Sequence, residues 1–481
     1  MNFVLYTLYA IFVINIILAI SIVILEKKQP ERTIAWLMVL ILLPPIGLIL
    51  YIFLGRNWKI HKLNDRMSED VERLITPIIE KMPKKDKPYI PLIELLANNS
   101  DSPVFINNEI KIFIDGNEKY RFLKEELLKA KHHIHLEYYI FKNDGIGNEI
   151  KDILVQKVKE GVKVRFIIDK VGSIKVPRKY LKEMAEAGID VVVYSYFLAP
   201  LLRAINTQIN FRNHRKIVVI DGKVGFLGGI NIGDEYLGLS KMGYWRDTHI
   251  MVKGDFTLGL QAVFLDDFLT IKKVTNSNYV FYDQEFDKYF PAAPAAKKKI
   301  PMQLVKSGPD SQFPAIMQAT LKMISIATDH IYITTPYFVP SEGIMDVLQI
   351  AALGGVDVRI IFPEQADHFT VNYASRTYLA DLLRCGAKVY FYDKKSFVHS
   401  KTMTIDGKMC SVGTANLDRR SFELNYEINS VIYDEEITQE LEQIFFEDLK
   451  KCRLFTLEEY ESSGKFQKIL EGITRIFSAL L

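Results

Sequence analysis

HRKIVVIDGKVGFLGGIN, residues 214–231, and HSKTMTIDGKMCSVGTAN, residues 399–416, decide how this chain is built. Laid over one another, they match His214 with His399, Lys216 with Lys401, Asp221 with Asp406, Gly228 with Gly413 and Asn231 with Asn416. Each pair is 185 positions apart (399 − 214). A lone His-x-Lys carries no information, but a five-point pattern repeated in one register marks an internal duplication. Each copy reads as strand, turn and strand. Ile217, Val218, Val219 and Ile220 form a β-branched run that ends in an Asp-Gly turn signal. Alternation along the first strand is expected to place His214 and Lys216 on one face. Gly228 and Gly229, with Gly413 and Thr414 in the second copy, are small enough to admit a ligand close to the backbone.

One imidazole and one ammonium per copy suit a phosphodiester. Lysine binds phosphate oxygens as a point charge. Neutral histidine can attack phosphorus, and its cation can protonate a leaving oxygen. Two halves packed face to face would surround one phosphate with two of each. No acidic metal cage accompanies either motif, so the expected chemistry is metal-independent and needs no cofactor. Asn231 and Asn416 are candidate donors to phosphate oxygens. Asp221 and Asp406 complete the two catalytic motifs, and they are expected to fix the Asp-Gly turns and nearby lysines rather than touch substrate.

The doubled His-x-Lys-x4-Asp pattern resembles the phospholipase D superfamily. Together with the apolar segments at the N-terminus, among them RTIAWLMVLILLPPIGLILYIFLGRN (32–57), the chain is similar over nearly its whole length to bacterial cardiolipin synthases. The resemblance implies an α/β fold of two duplicated lobes, each a β-sheet flanked by helices, related by a pseudo-two-fold axis and preceded by a two-helix transmembrane hairpin. It implies transphosphatidylation: two phosphatidylglycerol molecules give cardiolipin and glycerol through a phosphatidyl-histidine. In that scheme His214 is the nucleophile and His399 the acid and base, by family habit, since the sequence itself is symmetric here. Lys216 and Lys401 stabilise the phosphoryl oxygens. The family also places a carboxylate that fixes an imidazole tautomer. Asp247, 33 positions after His214 (247 − 214), and Glu427, 28 after His399 (427 − 399), fill that place, and which histidine each serves stays open. Glu137 in HLEYY is either an active-site neighbour or a solvated strand end. Arg376 in ASRTY either binds a head group or forms a structural ion pair. Arg420 either binds phosphate or braces its loop.

At 481 residues, two or three domains are expected. The reading divides the chain into a transmembrane hairpin (1–56), a connector (57–100), a first lobe (101–285) and a second lobe (300–481). Residues 3–25 and 34–54 are uncharged and long enough to span a bilayer. Pro44 and Pro45 are expected to kink the second span. Arg56, Lys59, Lys62 and Arg66 slightly outweigh the basic residues of the connecting turn, which favours lobes on the cytoplasmic side. A net charge of only +3 argues against nucleic acid as partner, so the partners implied are a bilayer and phosphatidylglycerol. The three cysteines fit no metal spacing. Phe197, Leu198, Pro200, Leu201 and Leu202 read as core or as a lip for acyl chains. The last stretch, KFQKILEGITRIFSALL, has one apolar helical face that either docks on the lobe or lies in a membrane interface. Rival readings are a hydrolytic phospholipase D, a nuclease of the same superfamily and an inactive membrane scaffold. The two complete motifs argue against the last.

Overall fold

In a computed structural model, the described residues are 89–194, 211–240, 242–276, 278–280, 286–292, 296–365 and 367–478, with 5–7, 9–14, 17, 21, 30–43, 46–47 and 50–51 near the N-terminus. Two mixed sheets organise them. The first runs Asn108–Phe113, His249–Gly254, Val224–Gly228, Lys216–Ile220, His133–Tyr138, Lys163–Asp169, Asp190–Tyr194. The second runs Met302–Ser307, Asn425–Ile432, Met409–Gly413, Thr402–Ile405, His330–Thr334, Asp357–Pro363, Lys388–Tyr392, with Cys452–Phe455 added at the edge. Position by position the two orders coincide, and so do the strand directions: antiparallel up to the strand at His133 or His330, parallel for the two that follow. The duplication read from the motifs therefore extends to whole sheets.

The Asp-Gly pairs turn the motif strands around. Asp221 and Gly222 have φ of 52° and 65°, and Asp406 and Gly407 have 54° and 64°. Positive φ at both central residues is the turn that matches strand twist. Helices Gly116–Lys129, Gly145–Lys159 and Arg178–Glu186 cover one face of the first sheet through a core around Leu123, Ile150 and Met184. Ala315–Ser325, Glu342–Leu353 and Phe369–Arg384 cover the second sheet in the same way. Between the lobes lies a shared apolar layer, where Ile217, Val219 and Ile250 meet Cys410, Val412 and Ile428 under helices Phe256–Thr275 and Glu435–Leu449. Truncating one of these aliphatic side chains to Ala would cost about 2–5 kcal/mol and loosen both lobes at once.

One sequence-based expectation changes. Residues 90–100, placed in the connector, form a helix, Ile90–Ser100, whose Leu92 and Leu96 are buried in the second lobe's core. The helix precedes the first lobe in sequence but packs on the second, and the Ser100 and Ser102 hydroxyls accept from Lys306 and Leu304 N–H. Residues 57–88 lie outside the described residues, as does the apolar stretch 197–202. Of the two expected spans, 11 of the 23 residues of the first and 14 of the 21 of the second are among the described residues. The helix Pro30–Leu42 overlaps the start of the second, and no helix among the described residues is long and apolar enough to cross a membrane.

Candidate active site

Each motif histidine is held by the other lobe. The segment ahead of the first, Arg212–Asn213, pairs in parallel with Asn425–Tyr426. The segment ahead of the second, Ser396–Val398, pairs in parallel with Tyr244–Arg246. The His214 N–H donates to the Tyr426 carbonyl at 2.9 Å, and the His399 N–H to the Arg246 carbonyl at 2.7 Å. The side chains repeat the exchange. His214 Nδ1 lies 2.9 Å from the Glu427 carboxylate, and His399 Nδ1 lies 2.7 Å from Asp247. So the carboxylate left unassigned by sequence serves, in each case, the histidine of the opposite copy. A carboxylate on Nδ1 fixes the tautomer that leaves Nε2 available as nucleophile or base. The histidines stand just ahead of the motif strands, not on them. The strand at Lys216 begins two residues later, and the Lys216 ammonium folds back to donate to the His214 carbonyl at 2.6 Å. Lys401 donates to the His399 carbonyl in the same way and lies 3.0 Å from His399 Nδ1.

Burial dominates the electrostatics. It pushes His214 down to about 4 against the pull of Glu427, and it lowers His399, with Lys401 adding to the effect and Asp247 opposing it. Both rings are therefore neutral at pH 7. Burial also pushes Lys216 down to about 7 and Lys401 to about 8, although Glu427 and Asp247 act on both to keep them charged. An arriving phosphate anion would supply the missing counter-charge and restore both ammonium groups. Glu427 is buried as well. Burial alone would raise its carboxyl, but His214 and Lys216 hold it below the usual range.

Of the small residues after the motifs, Gly229 and Thr414 serve these carboxylates, and Gly228 and Gly413 abut other protein atoms. A Cβ on Gly229 would overlap the Asp247 carboxylate, and one on Gly413 would overlap the Asn429 side chain. Gly228, at φ 153°, abuts the backbone of His249. Thr414 donates its hydroxyl to Glu427 at 2.6 Å. The expectation of space for a ligand at these four positions is thus corrected, because protein atoms fill it.

Other candidates separate. Asp221 accepts from the N–H groups of Lys131, His132 and His133 at 2.8, 2.8 and 2.9 Å. Asp406 accepts from those of Thr328, Asp329 and His330 at 2.9, 2.9 and 3.0 Å. Both clamp the far ends of their strands, away from the histidines, so the grouping with the catalytic residues is corrected and their tie to the lysines does not occur. Asn231 spends its amide on Ile140 N–H and the Tyr236 hydroxyl. Asn416 is buried with Oδ1 unpartnered and lines a small cavity with Lys401 and Thr335, which neither histidine lines. Glu137 is fully buried, not a solvated strand end. It accepts from Asn213, and burial, reinforced by Asp267 and opposed by Arg215, pushes its carboxyl up. Arg376 is bound to Glu471 at 3.0 Å and lies over the Phe455 ring, which corrects the head-group reading. Arg420 lies within electrostatic reach of Arg212, Tyr139, Asp418 and Glu427.

Several side chains escaped the sequence reading. Tyr139 lies against the His214 ring and Trp245 against the His399 ring, with centroids 4.8 and 5.4 Å apart. Arg212 hydrogen-bonds Tyr139 on the first side, and Asp367 acts electrostatically on His399 and Lys401 on the second. Lys119, fully buried from helix Gly116–Lys129, donates to the Tyr138 hydroxyl at 3.0 Å and feels Asp247. Arg212 sits two residues before a motif histidine, which is a signal that could have been read. Asp367 and Lys119 carry none.

The geometry can be set beside known proteins. A family model described as "Cardiolipin synthase, PLD-like domain" matches residues 123–242 and 320–449. A second, "Phospholipase D-nuclease N-terminal", matches residues 13–56. The chain is 41% identical to the major cardiolipin synthase of Bacillus subtilis (strain 168), over 98% of each chain. It is 40% identical to a cardiolipin synthase of Oceanobacillus iheyensis, again over 98% of each. A phosphatidylserine synthase structure from Haemophilus influenzae aligns with 81% of this chain and 98% of its own at TM-score 0.60 and 15% identity, a likeness of fold.

Proposed function

The chain belongs to the cardiolipin synthase family of phospholipase D-like proteins, and we propose that it joins two phosphatidylglycerol molecules into cardiolipin with release of glycerol. The observation that carries this reading is the reciprocal exchange of carboxylates between lobes, which sets two neutral imidazoles and two lysines around one locus. His214 Nε2 attacks phosphorus. The bond from phosphorus to the head-group glycerol oxygen breaks, and His399, having taken up a proton, delivers it to that oxygen. His399 then removes the proton from a glycerol hydroxyl of the second lipid, whose oxygen displaces His214 from phosphorus. Lys216, Lys401 and Arg420 hold the phosphoryl oxygens. Each such donor is worth roughly 100- to 1000-fold in rate.

Three neighbours support this division of labour. Arg212 and Arg420 gather near Tyr139 on the His214 side, where an anion must bind. Burial and Lys401 lower His399, and Asp247 and, less strongly, Asp367 oppose them, which eases uptake of the proton it must deliver. We read residues 1–56 as a membrane hairpin with spans near 3–25 and 34–54, the lobes as 101–285 and 300–481, and their side as cytoplasmic. The helix Pro30–Leu42, with Ile34, Met38 and Ile41 exposed, supports the hairpin.

The test uses purified protein and phosphatidylglycerol labelled in the phosphate, quenched in base, where phosphohistidine survives. Cardiolipin and glycerol are expected from wild type, and the His399→Ala variant should retain label on His214 while turnover falls on the order of 10⁴-fold. Phosphatidic acid as the only lipid product would mean that water is the acceptor and would end the synthase reading.

A further inference from the structure

The last helix, Lys465–Phe477, turns its polar side inward. Gln467, Glu471, Thr474 and Ser478 face the second lobe, and the last three are buried. Glu471 is neutralised by Arg376 at 3.0 Å, Ser478 meets the Tyr378 hydroxyl at 2.9 Å, and Arg475 pairs with Asp381 at 2.7 Å. All three partners lie on one helix, Phe369–Arg384. The apolar side is left outside, with Phe466, Ile469 and Ile476 exposed by 74, 59 and 73% and Ile473 by 45%. An amphipathic helix that packs for core burial does the reverse. At 100° per residue, Lys465 and Lys468 flank one edge of that apolar stripe, Arg475 on the same side being held by Asp381, while the helix's acid points into the protein.

We propose that this helix lies in the headgroup boundary of an anionic bilayer and seats the second lobe against the membrane. Three features fix the occupant. Thirteen residues rise about 20 Å, too short to span a bilayer but suited to lying in its plane. The basic edge complements anionic headgroups, whereas a second copy of the same helix would set like charges together. The helix that holds it begins at Phe369, itself exposed, next to Asp367, which acts on His399. The apolar face therefore packs on an element about 24 Å long whose N-terminal flank carries a residue that acts on His399. The inference rests on the lipid-substrate reading for its purpose, but its evidence is the helix itself.

The experiment uses the full chain in bilayers of mixed phosphatidylglycerol and phosphatidylcholine. Cys385 and Cys452 are replaced by Ser, Cys410 is buried, and a fluorophore is attached to Ile476→Cys or, as control, to Lys159→Cys on an exposed helix of the first lobe. Lipids brominated in the acyl chain should lower emission at position 476 about two-fold, since interfacial helices bury their apolar face roughly 5–10 Å deep, and leave position 159 unchanged. Equal, negligible quenching at both positions would overturn the proposal. A label shielded from aqueous iodide but untouched by bromine would also overturn it, by showing that another copy covers the face. Neither result depends on turnover, so failure of the synthase assay with normal quenching would remove only the catalytic reading.

Discussion

The two halves of the site share a backbone and differ in what surrounds the histidine. On one side a short carboxylate, Asp247, reaches His399 because Gly229 leaves its place empty. On the other a longer carboxylate, Glu427, reaches His214, and the position matching Gly229 is Thr414, whose hydroxyl, with the Asn425 amide at 3.0 Å, steadies the extra methylene. The cations Arg212 and Arg420 gather on the His214 side, and the acid Asp367 on the His399 side. Duplication supplied two equal imidazoles, and divergence around them separates an anion-binding half from a proton-handling half. Both rings rest neutral, and the divergence around them biases which one attacks and which one takes up and delivers the proton.

The sharpest way to break this comparison is to remove the carboxylate charges. Glu427→Gln and Asp247→Asn should each lower kcat about 10²- to 10⁴-fold, as tautomer loss does in other histidine sites. Both carboxylates raise the pKa of their histidine, so each loss lowers it. With His214 as the base-form nucleophile, Glu427→Gln shifts the acid limb of the pH–rate profile to lower pH. With His399 as the acid, Asp247→Asn shifts the alkaline limb to lower pH. Movement of the same limb by both would refute the division of roles. Stability carries a related signature. His214 titrates near 4 folded and near 6.5 unfolded, so the unfolded chain binds the extra proton between those values and stability falls as pH drops through that window. A melting temperature flat from pH 6.5 to 4 would contradict it.

A smaller effect sharpens the contrast between Gly229 and Thr414. Gly229→Ala must displace Asp247, and a loss of about 100-fold in kcat is expected. Thr414→Ala removes one hydrogen bond to a charged group, about 1.5–3 kcal/mol, and should cost at least about 10-fold. Equal, negligible losses would show that neither position supports its carboxylate.

The smallest catalytic effect is expected at Asp221 and Asp406, where the halves are alike. Asp221→Asn and Asp406→Asn should cost about 1–3 kcal/mol of stability in chemical denaturation, with kcat changed less than about 3-fold. Burial would raise the Asp406 carboxyl, but the Asp329, His330 and Thr328 N–H groups hold it below its ordinary value. Its contribution is accordingly present above about pH 4 and lost as pH falls below that. A large loss of kcat in a fully folded Asp406→Asn protein would return that residue to the reaction.

The sequence by itself determined the duplication, the α/β character of both halves and the pairs His214–Lys216 and His399–Lys401. Those features are local or periodic: a β-branched run, an Asp-Gly turn and a fixed 185-residue offset are visible without folding the chain. Tertiary structure alone decided that Glu427 serves His214 and Asp247 serves His399, because each pair bridges lobes 213 and 152 residues apart. It also turned Arg376 from a head-group candidate into the anchor of the last helix, and placed Ile90–Ser100 on the second lobe rather than on the first, which follows it directly in sequence. Helical periodicity shows that a face is apolar; which way it points depends on the polar partners waiting on the other side, and those come from distant parts of the chain.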